Sequence, residues 1–303
     1  MKFDAVLIAG PTASGKSRQA LELAEEIGGV VINADSMQVY REAPILTAQP
    51  SAADRARMPH LLYGHVSARE VYSVGRWRDD AVRALTQARA MSRVPIFVGG
   101  TGMYFTALTD GLSHIPATPD EVRDAARALL DDIGVEALHA RLTERDPLTA
   151  SKLRPSDPQR VLRAYEVFES TGRPLAEWQD APGEPVLKDA RLAAFVLDPS
   201  REQRRARIAE RFETMLDAGG LEEARALEGL DPGLPAAKLL GLRPLQALAR
   251  GTLTRAEALD GAITATRQFA KRQMTWFRHR MPHYIWFDPS ISNLITQYGH
   301  ISA

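Results

Sequence analysis

The residues Gly10-Pro11-Thr12-Ala13-Ser14-Gly15-Lys16-Ser17 satisfy every constrained position of the phosphate-loop pattern G-x-x-x-x-G-K-[ST]. Backbone N–H groups of such a loop, with the helix N-terminus behind it, bind a diphosphate. Lys16 neutralises its charge, and the Ser17 hydroxyl is placed to ligate Mg²⁺. The loop establishes a phosphorylated ligand without saying whether that ligand is a nucleotide. A carboxylate follows in Ile32-Asn33-Ala34-Asp35-Ser36-Met37-Gln38, where Asp35 ends a short apolar run. At the carboxyl end of a strand facing the phosphate loop, Asp35 is open to three readings: metal ligand, proton acceptor or helix N-cap. A hydroxyl, Thr101, follows Val98-Gly99-Gly100. The glycines there either let a substrate approach the backbone or simply make a tight strand-to-helix turn.

These groups need a scaffold that puts strand ends side by side. Ala5–Ala9 reads as a buried parallel strand running into Gly10-Pro11. Ser17–Ile27 has helical apolar spacing and stops at Gly28-Gly29. Val30–Ile32, Val94–Val98 and Ala193–Leu197 read as further strands. Strands alternating with helices predict a P-loop NTPase-like α/β core: a parallel sheet with its active-site loops at the strands' carboxyl ends. From Thr118 to Arg173 the pattern is helical, and Asp157-Pro158 is a helix start with Asp as N-cap and Pro in the first turn. That helix runs to about Ser170 and ends at Thr171-Gly172. The Pro/Gly-rich segment Ala181–Pro185 closes the stretch, which reads as an inserted all-helical subdomain. The expected division is 1–117 as the first part of the core, 118–188 as the insertion, and 189–303 as the second part with C-terminal helices. Thr254-Arg255-Ala256-Glu257 has the form of a capping box.

The chain has 303 residues, no cysteine and equal numbers of acidic and basic side chains. Disulfides, a thiolate nucleophile and Cys-ligated zinc are thereby excluded. Zero net charge does not exclude RNA, because charge is segregated. Thr266–Arg280 carries Arg267, Lys271, Arg272, Arg278 and Arg280 with no acid, and Arg201–Arg211 holds five arginines against two glutamates. Charge alone equally fits solvated helix faces. No apolar stretch reaches the roughly 18 residues of a membrane span, and the run at Met1–Gly10 is too short for a signal sequence. The expectation is a cytoplasmic protein.

The segments GPTASGKS, INADSMQVYRE, VGGTGMYFTALTDGLS, DPQRVLRAYEVFESTGRP and TRQFAKRQMTWFRH resemble, in order, the signature blocks of the tRNA dimethylallyltransferases, or tRNA isopentenyltransferases. They span residues 10–280. The resemblance implies transfer of dimethylallyl from its diphosphate to N6 of the adenine just 3′ of the anticodon, giving N6-isopentenyladenosine in tRNA. It implies a helical insertion that grips the anticodon stem-loop. Asp35 then matches the family's catalytic carboxylate, and Ser36, Met37 and Gln38 complete the segment that touches the target adenine. Thr101 matches a threonine near the reacting centre. Gln159, Arg160, Val161, Leu162 and Arg163 match a tRNA-contacting stretch, and Arg123 another such contact.

The chemistry agrees with those roles. An exocyclic adenine amine is a poor nucleophile, so a carboxylate accepting its proton helps. Diphosphate leaves as a polyanion, which Lys16, Mg²⁺ and the loop amides stabilise. Arg207 or Arg211 is placed to add to this. The base must leave its stack, which suits a single-stranded loop.

Three places depart from the family pattern: leucine in Pro59-His60-Leu61-Leu62 where a second histidine is common, Leu242 for tyrosine after Gly241, and Trp77 for phenylalanine. His60 is read as structural. Dimethylallyl diphosphate and tRNA are the expected partners, with no protein partner and a monomer implied. A small-molecule P-loop kinase, with Asp198 as spare metal ligand, is one rival. An adenylate isopentenyltransferase making cytokinins is another, and a non-enzymatic single-stranded-RNA module a third.

Overall fold

An uninterrupted apolar run, Ala-Val-Leu-Ile-Ala, forms strand β1 (Ala5–Ala9) because every side chain on it is buried. Strands covered on both faces read this way in parallel sheets. In this computed structural model, which describes residues 2–181 and 183–302, β1 sits centrally. The strands β2 (Gly29–Asn33), β3 (His60–Leu61), β4 (Val94–Gly99), β5 (Leu192–Leu197) and β6 (Ile285–Phe287) complete a six-stranded sheet of order β3-β2-β4-β1-β5-β6. All five pairings are parallel. Strands β1, β2, β4 and β5 are those the sequence pattern predicts; β3 and β6 are additions to it.

Helices α1 (Lys16–Ile27), α2 (Ala52–Arg57), α3 (Val74–Ala90) and α4 (Gly102–Thr109) alternate with the first four strands. The next four are α5 (Asp120–Arg145), α6 (Pro147–Ala150), α7 (Pro158–Thr171) and α8 (Leu175–Gln179). Beyond β5 come α9 (Arg201–Met215), α10 (Leu221–Ala226), α11 (Leu242–Ala249), α12 (Arg255–Arg280) and α13 (Leu294–Ser302). Helix α1 ends where expected: Gly28 takes φ 66°, and its N–H caps the Ala24 carbonyl. Thr254 and Glu257 make the expected capping box at the start of α12.

The chain divides into two compact units, Met1–Leu108 with Val186–Ala303, and Thr109–Pro185; the helical pattern of the sequence puts the second at 118–188. Met1, Pro182 and Ala303 lie outside the described residues. In the first unit, one core packs α1 and α13 on the sheet through Leu21, Leu23, Ile96, Phe195 and Leu294. The second unit consists of α5–α8 around its own core of Leu138, Leu142, Val161, Ala164 and Val167. Its α7 begins as the sequence indicates, the Asp157 side chain accepting the Arg160 N–H with Pro158 in the first turn. It stops at Gly172, φ 66°. Among the described residues no helix is long and apolar enough to cross a membrane.

Candidate active site

The loop Gly10–Ser17 joins β1 to α1, and its tight return is made at Gly15, φ 86°. No side chain caps the first turn of α1, so its N–H groups remain available to an anion. Lys16 folds back into the loop, and its Nζ donates to the Pro11 carbonyl at 3.2 Å. Burial lowers the Lys16 pKa from 10.5 to about 8; the Asp35 charge pulls it up, and Arg211 pushes it further down. The Ser14 hydroxyl is fully buried within the loop and has no hydrogen-bond partner.

Helix α9 lies over the loop. Arg207 donates through Nη1 to the Ser14 carbonyl at 3.2 Å, and Arg211 through Nη1 to the Thr12 hydroxyl at 3.0 Å. Both candidate arginines therefore touch the loop, one turn apart on the same helix face. Only Arg211 also lines the cavity onto which the loop opens. Burial loosens its proton, and the Asp35 charge holds it.

Asp35 stands at the end of β2, and the adjoining residues fix it. Its own N–H donates to the Asn33 side-chain oxygen at 2.8 Å, and its Oδ1 accepts the Met37 N–H at 3.0 Å. This is an Asx turn with no helix after it, so the helix N-cap reading of Asp35 is corrected to a turn cap. Thr101 supports the turn from behind: its Oγ1 accepts the Ser36 N–H at 2.8 Å and donates to the Ser36 Oγ at 3.1 Å. Gln38 has a structural task as well, since its Nε2 donates to the carbonyls of Thr47 and Ala48 at 2.9 and 2.8 Å. Glu223 holds the same stretch by accepting the N–H groups of Ile45 and Leu46. Two buried phenols, Tyr63 and Tyr104, are pushed up in pKa by burial first and by the Asp35 charge second. They stay neutral.

The glycines at the end of β4 lie hard against the protein's own atoms. A Cβ at Gly99 would lie 1.9 Å from the Ala34 carbonyl oxygen. One at Gly100 would lie 2.2 Å from the Gln273 Nε2 and 3.2 Å from the Asp35 Oδ2. Close approach of β2 to β4 requires the first, and the amide of Gln273 requires the second.

The phosphate loop and Asp35 open onto one cavity of about 140 Å³. Thr12–Arg18, Asp35, Gln38, Thr47 and Arg211 line it with charged and polar groups, and Met37, Leu46, Ala48, Leu239, Leu240 and Phe269 with apolar ones. The structure thus brings Lys16, Ser17, Asp35, Met37, Gln38 and Arg211 to one cavity. Asp198 does not join them: it is ion-paired with Arg204 and Arg278. The spare ligand of the kinase reading is therefore committed elsewhere. Among the described residues no group of three or more His, Asp or Glu side chains could cage a metal.

The remaining site candidates lie in the helical unit. Arg160 is exposed and paired with Asp157. Arg163 donates to the Thr118 hydroxyl at 2.9 Å and faces Glu166. Burial pushes the Glu166 carboxyl up against the pull of Arg163, Arg123 and Arg127, so Arg123 and Arg163 share one neighbourhood. Gln159 is exposed. Val161 is a correction: it is fully buried in the unit's core and presents no side-chain atom to a ligand. Leu162 packs partly against the same core.

His60 is structural, its Nδ1 bonded to the Met58 carbonyl at 2.8 Å and its ring edge-on to Tyr63. Trp77, also a departure, is fully buried. It stacks on Tyr104 with ring centroids 4.0 Å apart and donates its indole N–H to the Asn33 carbonyl at 3.0 Å, a bond phenylalanine cannot make.

A parallel sheet whose central strand runs into a phosphate loop, roofed by two arginines and faced by a carboxylate, defines a P-loop protein. The family profile described as IPP transferase matches residues 38–280, and that described as isopentenyl transferase matches residues 3–58. The chain belongs to the tRNA dimethylallyltransferase (IPP transferase) family. A tRNA dimethylallyltransferase of Bradyrhizobium sp. (strain ORS 278) is 52% identical over 94% of this chain and 93% of its own length. One of Methylocella silvestris is 51% identical over 95% and 96%. The solved tRNA isopentenylpyrophosphate transferase of Bacillus halodurans shares 32% identity and superposes with TM-score 0.67, covering 99% of this chain and 94% of that one. A eukaryotic dimethylallyltransferase described as acting on tRNA gives TM-score 0.75 at 26% identity, covering 97% and 75%.

Proposed function

We propose that this chain transfers a dimethylallyl group from dimethylallyl diphosphate to N6 of the adenine just 3′ of the anticodon of tRNA. The observation that carries the reading is the composition of the cavity. A phosphate cradle and a carboxylate share it with the apolar side chains of Leu46, Leu239, Leu240 and Phe269, which suit a prenyl chain. The loop amides beyond Thr12, together with Lys16 and Arg211, hold the diphosphate, Arg207 braces the loop through the Ser14 carbonyl, and the unpartnered Ser14 hydroxyl gains an acceptor there. As C1 of the prenyl group bonds to N6, its bond to the diphosphate oxygen breaks and Asp35 takes the N6 proton. Charge developing on the leaving diphosphate meets preorganised cations and N–H groups. Thr101 and Ser36 keep the Asp35 turn in place.

Mg²⁺ fits this site as an ion shared with the diphosphate. Ser17 Oγ and the Asp35 carboxylate are hard oxygen donors on the cavity, and Mg²⁺ takes few protein ligands plus phosphate oxygens and water. When bound, it would neutralise the diphosphate. The helical unit supplies the anticodon stem-loop contacts through Arg123, Gln159, Arg160 and Arg163. With tRNA as substrate, the place of action is the cytoplasm, and the protein acts as a monomer.

Labelled dimethylallyl diphosphate, incubated separately with tRNA and with AMP, tests the reading, as does ATP with a metabolite pool. Label in tRNA alone is the expected result. Label in AMP would establish the cytokinin-type reaction instead, and phosphate transfer from ATP would establish a kinase.

A further inference from the structure

Gln273 lies on α12, far along the chain from the residues it holds. It is buried, with both ends of its amide engaged. Its Oε1 accepts the Thr12 N–H of the phosphate loop at 2.9 Å, and its Nε2 donates to the Gly100 carbonyl at 2.9 Å. One planar amide therefore spans the loop that holds the leaving group and the turn that carries Thr101. Thr101 in turn bonds Ser36 beside Asp35. The absence of a side chain at Gly100 makes room for that amide, since a Cβ there would stand 2.2 Å from Nε2. The Thr12 N–H is likewise spent on Gln273, so it is no phosphate donor.

We infer that Gln273 is a positioning residue that sets the spacing between the electrophile's cradle and the carboxylate serving the nucleophile. The inference rests on the transfer reaction proposed above. The transferring carbon is fixed by the diphosphate, hence by the loop. The acceptor's proton is fixed by Asp35, hence by the turn. A direct backbone link, Gly10 N–H to the Gly99 carbonyl, also joins the two, but it is long at 3.3 Å and lies at the base of the loop. Gln273 grips higher up, at Thr12, next to the cavity. Without it the two halves of the reaction each remain intact and lose their mutual register. A misplacement of about 1 Å costs about a hundredfold in rate when reacting groups must be aligned. Water then competes with N6 for the activated prenyl carbon, releasing dimethylallyl alcohol and diphosphate.

Two substitutions test this. Gln273→Met keeps the length and removes both hydrogen bonds. Gln273→Glu keeps the acceptor for the Thr12 N–H and sets a carboxylate oxygen against the Gly100 carbonyl. The readout is the ratio of dimethylallyl alcohol to prenylated tRNA formed from labelled dimethylallyl diphosphate, which does not depend on the fraction of protein folded. Wild-type protein is assayed first, and its failure to prenylate tRNA would sink the proposed function itself. Given an active wild type, the expected result is a shift of the ratio toward alcohol in both variants. The kcat for transfer should fall about a hundredfold in Gln273→Met, with the KM for tRNA unchanged. A ratio equal to wild type in either folded variant overturns the inference, as does a loss of kcat explained wholly by a lowered active fraction. If Gln273→Met does not fold, Gln273→Glu decides alone.

Discussion

Replacing Asp35 by Asn separates three jobs that the wild-type carboxylate can hold at once. Asn retains a side-chain oxygen, so the Met37 N–H keeps its acceptor, and the bonds from Asp35 N–H to Asn33 and from Ser36 N–H to Thr101 are untouched. A turn cap exchanged in this way costs less than about 1 kcal/mol, and the fold should survive. Only proton acceptance and the negative charge are lost. Losing acid–base help lowers the chemical step by about 10²–10⁴, or about 3–5 kcal/mol of barrier. Asp35 also sustains the Lys16 proton, whose pKa burial has already brought to about 8. In the variant that pKa drops further, so the two proteins are best compared at about pH 6.5, where the loss of Lys16 charge contributes least. Single-turnover transfer to tRNA, a melting curve and a Mg²⁺ titration are then measured together. A base predicts an unchanged melting point and a slow chemical step that Mg²⁺ does not restore. A metal ligand predicts rescue by added Mg²⁺. A stable variant with a near-normal single-turnover rate would falsify the assignment of Asp35 to proton transfer.

Lys16→Ala should lose about 10²–10³ in rate at saturating dimethylallyl diphosphate, and near wild-type turnover would contradict its role. The wild-type Lys16 value of about 8 lies below the ordinary 10.5, so the empty site sheds this charge as pH rises through about 8. Diphosphate prefers the charged form, so its KM should climb by up to about tenfold per pH unit above that point; a flat profile to about pH 9.5 would overturn this linkage between the Lys16 proton and diphosphate binding. Replacing Arg160 and Arg163 together should raise the KM for tRNA and reduce the salt slope of binding by about one for each phosphate no longer neutralised. An unchanged KM would make them an ordinary solvated face. Trp77→Phe removes the bond to the Asn33 carbonyl and leaves a gap beside Tyr104, for a loss of about 1–3 kcal/mol; a urea midpoint equal to wild type would discount that bond.

What can be read from the sequence is whatever is written locally. The phosphate loop, the Gly28 stop, the Asp157 cap and the capping box at Thr254 each depend on residues within a few positions of one another, and each is found where the spacing indicates. Strand β3 has two residues and β6 three, too short for any periodicity to declare itself. The site divides the same way. Asp35 and Thr101 are legible because they end strands, whereas the meaning of Gly99 and Gly100 lies in residues that sequence cannot place beside them. The arginine cluster at 201–211 is visible as charge, but only packing of α9 on the loop separates Arg207, on the Ser14 carbonyl, from Arg211, on the Thr12 hydroxyl.

Gln273 marks the far end of that scale. It sits inside the basic stretch Thr266–Arg280, where attention falls on Arg267, Lys271 and Arg272, and a neutral amide adds nothing to a charge count. Yet the exposed cations of α12 are the replaceable part of the helix, since surface charges contribute little to stability. The amide matters more to the fold, because the two backbone groups it satisfies lie in buried hydrogen bonds. Removing it leaves an N–H of the phosphate loop and a carbonyl beside Thr101 unpaired, at about 1–3 kcal/mol each. The coupling of leaving group to acceptor thus runs through a residue more than 170 positions from the turn it holds and more than 260 from the phosphate loop.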